Sequence, residues 1–379
     1  MYNVAIIGAG KRVAGVAERY LEDKDFKLAA VCDIDIPAAK ERLKSFEDVR
    51  YFTDAKEMLE TMKIDAVMIG TRCSLHTHYA MLCAQYGIPM FLEKPVSIDW
   101  DQLSQLESLP KEYDEKVVVS FPLRLTHLVS CVKDIIDSGK IGKVQHVQAY
   151  NNVNYARGYY HGWYRDESET GGLFLQKSTH DLDYLNYLLT GRKPVMLCAM
   201  ESKQIFKGDM PENLYCKDCD RRDECPEYAE KVVAYGEPYS VDVEGYKCCF
   251  AKDTGNHDSA SVIVMYDDGM HAVYSQNFVA RKGAGKRGAR LIGYYGTVEF
   301  DFNKGTVDVF YHNQNRTEHH HIEKTHGHSG GDEELMKNFK NVIKGTDVSH
   351  SPLSQGILSA KMCLLCKDSA KENKFKEIK

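Results

Sequence analysis

Gly8-Ala9-Gly10 follows a short apolar run, Val4–Ile7, and opens an amphipathic stretch. Glycine at these two places suits a tight strand-to-helix turn, where a pyrophosphate approaches bare backbone at a helix N-terminus. A third glycine would fall at position 13, which is Val13, so the turn is read together with Asp33, 25 residues after Gly8. Asp33 ends the second apolar run, and a carboxylate there accepts hydrogen bonds from ribose hydroxyls and repels a 2′-phosphate. NAD is therefore favoured over NADP, with Lys11 and Arg12 beside the turn keeping NADP open. A second constellation is Cys216-x2-Cys219-x5-Cys225, in a polar stretch without strand or helix pattern. Three thiols at that spacing predict a tetrahedral metal site, structural zinc, with Cys248 or Cys249 as fourth ligand. The competing reading is thiols in a surface loop.

The elements that must position these groups fall into two grammars. Through about residue 120, apolar runs (Val4–Ile7, Leu28–Cys32, Ala66–Ile69, Pro89–Leu92, Val117–Ser120) alternate with helical patterns such as Ala14–Leu21, Ala38–Ser45 and Leu75–Tyr86. Strands apolar throughout and separated by helices predict a parallel sheet covered on both faces, a doubly wound Rossmann domain over residues 1–123. From Arg124 a helix (Leu125–Ser138) leads into a strand at Val144–Tyr150 and a Tyr-rich irregular stretch, Asn151–Gly171. A helix at His180–Leu189 and alternating segments at Ser261–Tyr266, Ala272–Phe278, Ala289–Gly293 and Val307–Tyr311 follow. They predict a second, α+β domain over residues 124–379 with an open, largely antiparallel sheet. The helical patterns Glu333–Ile343 and Leu353–Asp368 close the chain and are candidates to pack back on the first domain.

Composition excludes several classes. The 379 residues carry a formal charge of −6, so no basic face recommends nucleic acid or an anionic membrane. No apolar run approaches the ~18–20 residues of a membrane span. The first strand begins at Tyr2, which leaves no room for a signal peptide, and twelve cysteines without one suggest reduced thiols or metal ligands. The expected setting is the cytoplasm.

Phe91-Leu92-Glu93-Lys94-Pro95 closes the fifth apolar run, and Gly171-Gly172 precedes Lys177-Ser178-Thr179-His180-Asp181-Leu182-Asp183. Together with the N-terminal turn, these segments resemble the glucose–fructose oxidoreductase / inositol dehydrogenase (Gfo/Idh/MocA) family over nearly the whole chain. The resemblance implies NAD-dependent removal of a hydride from a hydroxyl-bearing carbon of a sugar, cyclitol or glycoside. Lys94 would lie at the carboxyl edge of the parallel sheet, where a desolvated ammonium can polarise or deprotonate a substrate hydroxyl. Glu93 would orient it. His180 would supply the second half of the proton relay, with Asp183 one helical turn on. Thr71, Arg72, His76 and Arg124 are placed near the cofactor. Tyr155, Trp163 and Arg165 are candidate substrate contacts, since aromatic rings stack on sugar faces. His328, before the Ser329-Gly330-Gly331-Asp332 capping loop, borders the pocket by the same resemblance, which also implies a homodimer or homotetramer.

One departure matters. Many dehydrogenases of the family carry aspartate four residues before the histidine, and here that position is Gln176, which takes no proton. Lys177 stands beside it as a substitute. The departure leaves two other readings open: a redox-assisted glycosidase or lyase that retains NAD and cleaves a glycosidic bond through a keto intermediate, and a non-catalytic NAD-binding sensor.

Overall fold

The computed structural model describes residues 1–228 and 245–379. The chain divides into two units. The first comprises Met1–Ser130, Leu182–Tyr187 and Glu323–Leu364, and the second Cys131–Asp181, Leu188–Ile322 and Leu365–Lys379. The division thus falls after Ser130 rather than at 123/124, and a C-terminal segment belongs to the first unit.

In the first unit, strands β1 (Tyr2–Ile7), β2 (Phe26–Cys32), β3 (Arg50–Phe52), β4 (Ala66–Ile69), β5 (Met90–Leu92) and β6 (Val117–Val119) form a six-stranded sheet in the order β3-β2-β1-β4-β5-β6. Every neighbouring pair is parallel. Val4, Ile6, Val67 and Met68 are wholly buried, which is why these runs show no polar alternation. β3 escapes the sequence because only Phe52 of its three residues is buried. Helices α1 (Lys11–Tyr20), α2 (Ile36–Arg42), α3 (Ala55–Thr61), α4 (His76–Ala84) and α5 (Trp100–Glu107) connect the strands. Asp35, Asp54 and Asp99 cap α2, α3 and α5 by accepting from the backbone N–H three residues on. The helix Gly331–Lys344 joins this unit because Leu335, Met336 and Phe339 enter the core of Val4, Ile6, Val13 and Phe91, with Phe339 edge-on to Phe91. Burying each such side chain stabilises by about 1.5–3 kcal/mol, enough to fix the helix there.

The second unit holds β7 (Val144–Asn152), β8 (Pro194–Ser202), β9 (Ser259–Tyr266), β10 (His271–Asn277), β11 (Lys286–Gly293), β12 (Gly296–Asp301), β13 (Thr306–Tyr311), β14 (Thr317–His321) and β15 (Lys376–Glu377). They form a nine-stranded sheet in the order β14-β13-β12-β11-β7-β10-β9-β8-β15. β7 and β10 run parallel, and the other described pairs are antiparallel. Alternate residues of β9 and β10 are buried, as a sheet with one covered face requires. Among the described residues, no helix is long and apolar enough to cross a membrane.

Candidate active site

In the first unit, Gly8 has φ +80°, and a Cβ there would lie 2.6 Å from the Thr71 backbone nitrogen. The turn is therefore glycine-only. Gly10 stands in extended conformation before α1 without a side-chain cap, which leaves first-turn amides to meet an anion. Val13 is buried where the third fingerprint glycine was absent, and the space it needs comes from Gly70. A Cβ on Gly70 would come within 2.2 Å of Val13 Cγ2. Asp33 Oδ2 accepts from the Ala9 N–H (2.7 Å) and Oδ1 from the Asp35 N–H (2.9 Å). Each carboxylate oxygen keeps a lone pair for a ribose hydroxyl. Exposed Ile34 and half-buried Arg42, whose Nη1 donates to the Ala9 carbonyl at 3.1 Å, also flank the turn and were not singled out by spacing. The glycine cradle, open helix end and carboxylate fit a dinucleotide. Lys11 and Arg72 are exposed beside it.

Arg12, beside the turn, is held by an ion-pair network. Its guanidinium bonds both oxygens of Asp332 (2.7 and 2.6 Å), together with Glu93 Oε1 and Ser120 Oγ. Arg12 thus joins Asp332, Glu93 and Ser120 in one polar network. Glu93 engages Arg12 through Oε1. His328 also turns to this network, its Nδ1 lying 3.1 Å from Asp332 Oδ2. Attraction to Arg12 and His328 holds the Asp332 carboxyl far below the usual carboxylate range despite the opposing effect of burial.

Lys94 is half-buried just beyond β5. His76 fixes its loop from within: Nδ1 lies 2.8 Å from the Pro95 carbonyl and Nε2 3.2 Å from the Thr71 carbonyl. Thr77 Oγ1 donates to the Val96 carbonyl beside it. Burial keeps the His76 imidazole biased toward its neutral form. His76 is thus a brace for Lys94 and the Thr71 turn. Arg124 and Asp183 come together as a buried pair: Nε donates to Oδ2 at 2.9 Å and Nη2 donates to Oδ1. Arg124 also reaches the His350 carbonyl. Both Asp183 oxygens therefore accept from Arg124.

The second unit gathers a polar cluster around the His180 motif. Gln176, Lys177 and Ser178 lie in the helical turn Phe174–Ser178, directly before helix Thr179–Leu188, and all are buried with His180 and Asp181. Lys177 Nζ donates to the Tyr155 hydroxyl at 2.5 Å and lies 4.5 and 5.2 Å from the ring centres of Tyr155 and Tyr159. Asp181 accepts from Arg287 Nε (2.7 Å), Asn151 Nδ2 (2.8 Å) and the Tyr274 hydroxyl (2.9 Å). Strand register builds this row, since Arg287 and Gln276 both stand opposite Asn151 across neighbouring strands. Gln276 Oε1 accepts from Ser178 Oγ, and the Gln276 amide N–H meets His257 Nε2 at 2.7 Å. That contact directs the His257 Nδ1–H to Glu201 Oε2, 2.7 Å away. Sequence reasoning missed Asp181, Arg287, Asn151, Tyr274, Gln276 and His257. The usable signal was polar Tyr274 and Gln276 sharing the inward face of β10 with Ala272.

Other candidates fall elsewhere. Arg165 bonds Asp253 and Thr254, and Trp163 stacks on Tyr164, whose ring tilts against Tyr159 beside Lys177. The cysteines of the zinc expectation meet in one place. Cys216, Cys219, Cys225 and Cys248 do line one pocket, with Cys249 and His161. Yet among the described residues no three His, Cys, Asp or Glu side chains stand where they could hold a metal ion. Cys216 Sγ lies 3.7 Å from the Lys247 carbonyl and 3.9 Å from His161 Nδ1, and that nitrogen is itself 2.8 Å from the Lys247 carbonyl. Burial pushes the Cys248 and Cys249 thiols up.

Fold and turn chemistry together define an oxidoreductase class built on an NAD-binding domain. The family model described as "Oxidoreductase family, NAD-binding Rossmann fold" matches residues 2–121. The "GFO/IDH/MocA C-terminal domain" matches residues 129–306, and the chain belongs to the GFO/IDH/MocA family. It is 25% identical over 356 residues to YteT of Bacillus subtilis (strain 168), covering 84% of this chain and 81% of that one. It is 28% identical over 210 residues to the inositol 2-dehydrogenase of Rhizobium meliloti (strain 1021), covering 54% of this chain and 59% of that relative. A solved levoglucosan dehydrogenase, in complex with NADH and levoglucosan, shares the fold with a TM-score of 0.76 at 16% identity, over 100% of this chain and 99% of that one.

Proposed function

We propose that this protein is an NAD-dependent dehydrogenase that removes a hydride from a hydroxyl-bearing carbon of a sugar, cyclitol or glycoside. The observation that carries the reading is the buried cluster of Lys177, Tyr155, Asp181, Arg287 and Asn151 around the His180 motif, on a chain whose first unit has a dinucleotide turn. Such a mixture of buried donors and acceptors suits a polyhydroxylated molecule, whose hydroxyls leave no desolvated group unpaired. Gly8, Gly10 and Asp33 would hold NAD, which supplies the hydride acceptor. Asp33 favours NAD over NADP by charge repulsion, and Arg12, bound to Asp332 and Glu93, offers no cation to a 2′-phosphate. Lys94 polarises the substrate oxygen and His180 hydrogen-bonds it.

Incubation with NAD⁺ and a panel of sugars, cyclitols and aryl glycosides tests this, following NADH and aglycone together. Stoichiometric NADH without aglycone is expected. Aglycone release that requires NAD⁺ but accumulates no NADH would replace it with the redox-assisted glycosidase. Lys94→Ala should abolish turnover while NAD binding persists, and full retained activity would remove Lys94 from the mechanism.

A further inference from the structure

Lys177 is only 4% exposed, yet its hydrogen bond goes to a phenol, and among the described residues it pairs with no carboxylate. A buried ammonium without a counter-charge is costly. The charged groups facing Tyr155 are Lys177 from the turn before helix Thr179–Leu188, Arg287 from β11 and Asp181 from that helix, with the Tyr159 ring tilted against Tyr155 at 6.5 Å between centroids. Asp181 is spent on Arg287 at 2.7 Å. One positive charge, that of Lys177, is left over, and the atom bonded to it is the Tyr155 oxygen.

We propose that Tyr155, ionised against Lys177, is the base that takes up the substrate hydroxyl proton, in the place that Gln176 leaves without an acid–base group. The proposal rests on the dehydrogenase reading above and adds the proton's destination. The substrate O–H bond breaks and a phenol O–H bond forms on Tyr155. The carbinol C–H pair leaves as hydride to NAD⁺, which is reduced, and the substrate carbon becomes a carbonyl. Lys177 keeps its proton throughout and acts as counter-ion. The electrostatics run the same way: burial raises the Tyr155 phenol, but Lys177 and Arg287 outweigh it and bring its ionisation below the ordinary tyrosine range.

Two measurements on the full chain test this. The first is direct: ¹³C NMR of ring-labelled tyrosine over a pH series, with Tyr155→Phe to assign the signal. Tyr155 is expected to ionise below the other tyrosines, and Lys177→Met is expected to move it back up. A Tyr155 that titrates with the rest overturns the proposal. This readout needs no substrate, so it stands even if the panel yields no NADH and the dehydrogenase reading fails. The second is kinetic, with whichever substrate reduces NAD⁺. Tyr155→Phe should lower kcat by about 10²–10⁴-fold, as expected for loss of a general base, and leave NAD⁺ affinity unchanged. In the Lys177→Met variant the acid limb of kcat/KM should shift to higher pH, following the NMR titration. Tyr155→Phe with kcat within about twofold of the parent overturns the proposal while leaving the dehydrogenase reading intact.

Discussion

Arg124 and Asp183 both come from segments that sequence reading assigned to chemistry, and both are consumed by each other. The pair is almost fully buried, with both Asp183 oxygens engaged. Burial pushes the Asp183 carboxyl up to about 6 against the pull of Arg124. Arg124→Met should therefore cost roughly 3–5 kcal/mol, because it strands a buried carboxylate. Combining it with Asp183→Leu should return most of that loss in urea unfolding at neutral pH. A single variant within about 1 kcal/mol of the parent would show that the pair is not desolvated as described. The sign with pH also follows. Asp183 has a folded pKa above its unfolded value, so its contribution is complete below the unfolded carboxylate range and declines as pH rises toward 6. That slope should be missing in the double variant. The Lys177–Tyr155 pair differs in kind, since a phenol can exchange a proton with substrate where Arg124 cannot.

Between elements, the decisive feature is how α1 meets β4. A fingerprint glycine normally lets the helix approach the strand; here Val13 fills that place and Gly70, just past β4, gives way to it. Gly70→Ala would set a methyl 2.2 Å from Val13 Cγ2 and 2.7 Å from Val13 Cβ. The expected cost is about 1–3 kcal/mol, as for overpacking in a core. Val13→Gly in the Gly70→Ala background should recover part of it, less the helix penalty of glycine, about 1 kcal/mol. Chemical denaturation of the four proteins reads the cycle, and additivity of the two changes would refute the compensation. At the same end of α1, Arg12 ties Asp332 and so pins the start of helix Gly331–Lys344 to the same unit as the dinucleotide turn.

For the whole molecule, ligand linkage gives the plainest check on cofactor choice. NAD⁺ at about a hundredfold excess over its Kd should stabilise the folded chain by about 2.7 kcal/mol and raise its Tm accordingly. Asp33→Ala should lose most of that shift, because its carboxylate braces the Ala9 amide and, in the function proposed above, would accept from the ribose hydroxyls. NADP⁺ should give the smaller shift at equal concentration. A larger shift with NADP⁺ would overturn the reading of Asp33.

How much was legible depended on whether a feature was local. Buried parallel strands announce themselves as unbroken apolar runs, so β1, β2, β4, β5 and β6 were placed within two residues at each end, and the glycine turn with Asp33 could be read from spacing alone. The Lys94 and His180 segments were recognisable as motifs because their chemistry lies within a few consecutive residues. What the sequence could not determine was partnership. Arg12 with Asp332, Arg124 with Asp183, Asp181 with Arg287 and Lys177 with Tyr155 stand 22 to 320 positions apart. An ion pair is set by distance in space and by how far water is excluded, and neither quantity is written in a local pattern. The cysteines make the same point: their spacing resembled a metal loop, while burial and backbone placement decided how the thiols stand. Tertiary structure alone decided that the paired charges neutralise one another and that Lys177 faces a phenol.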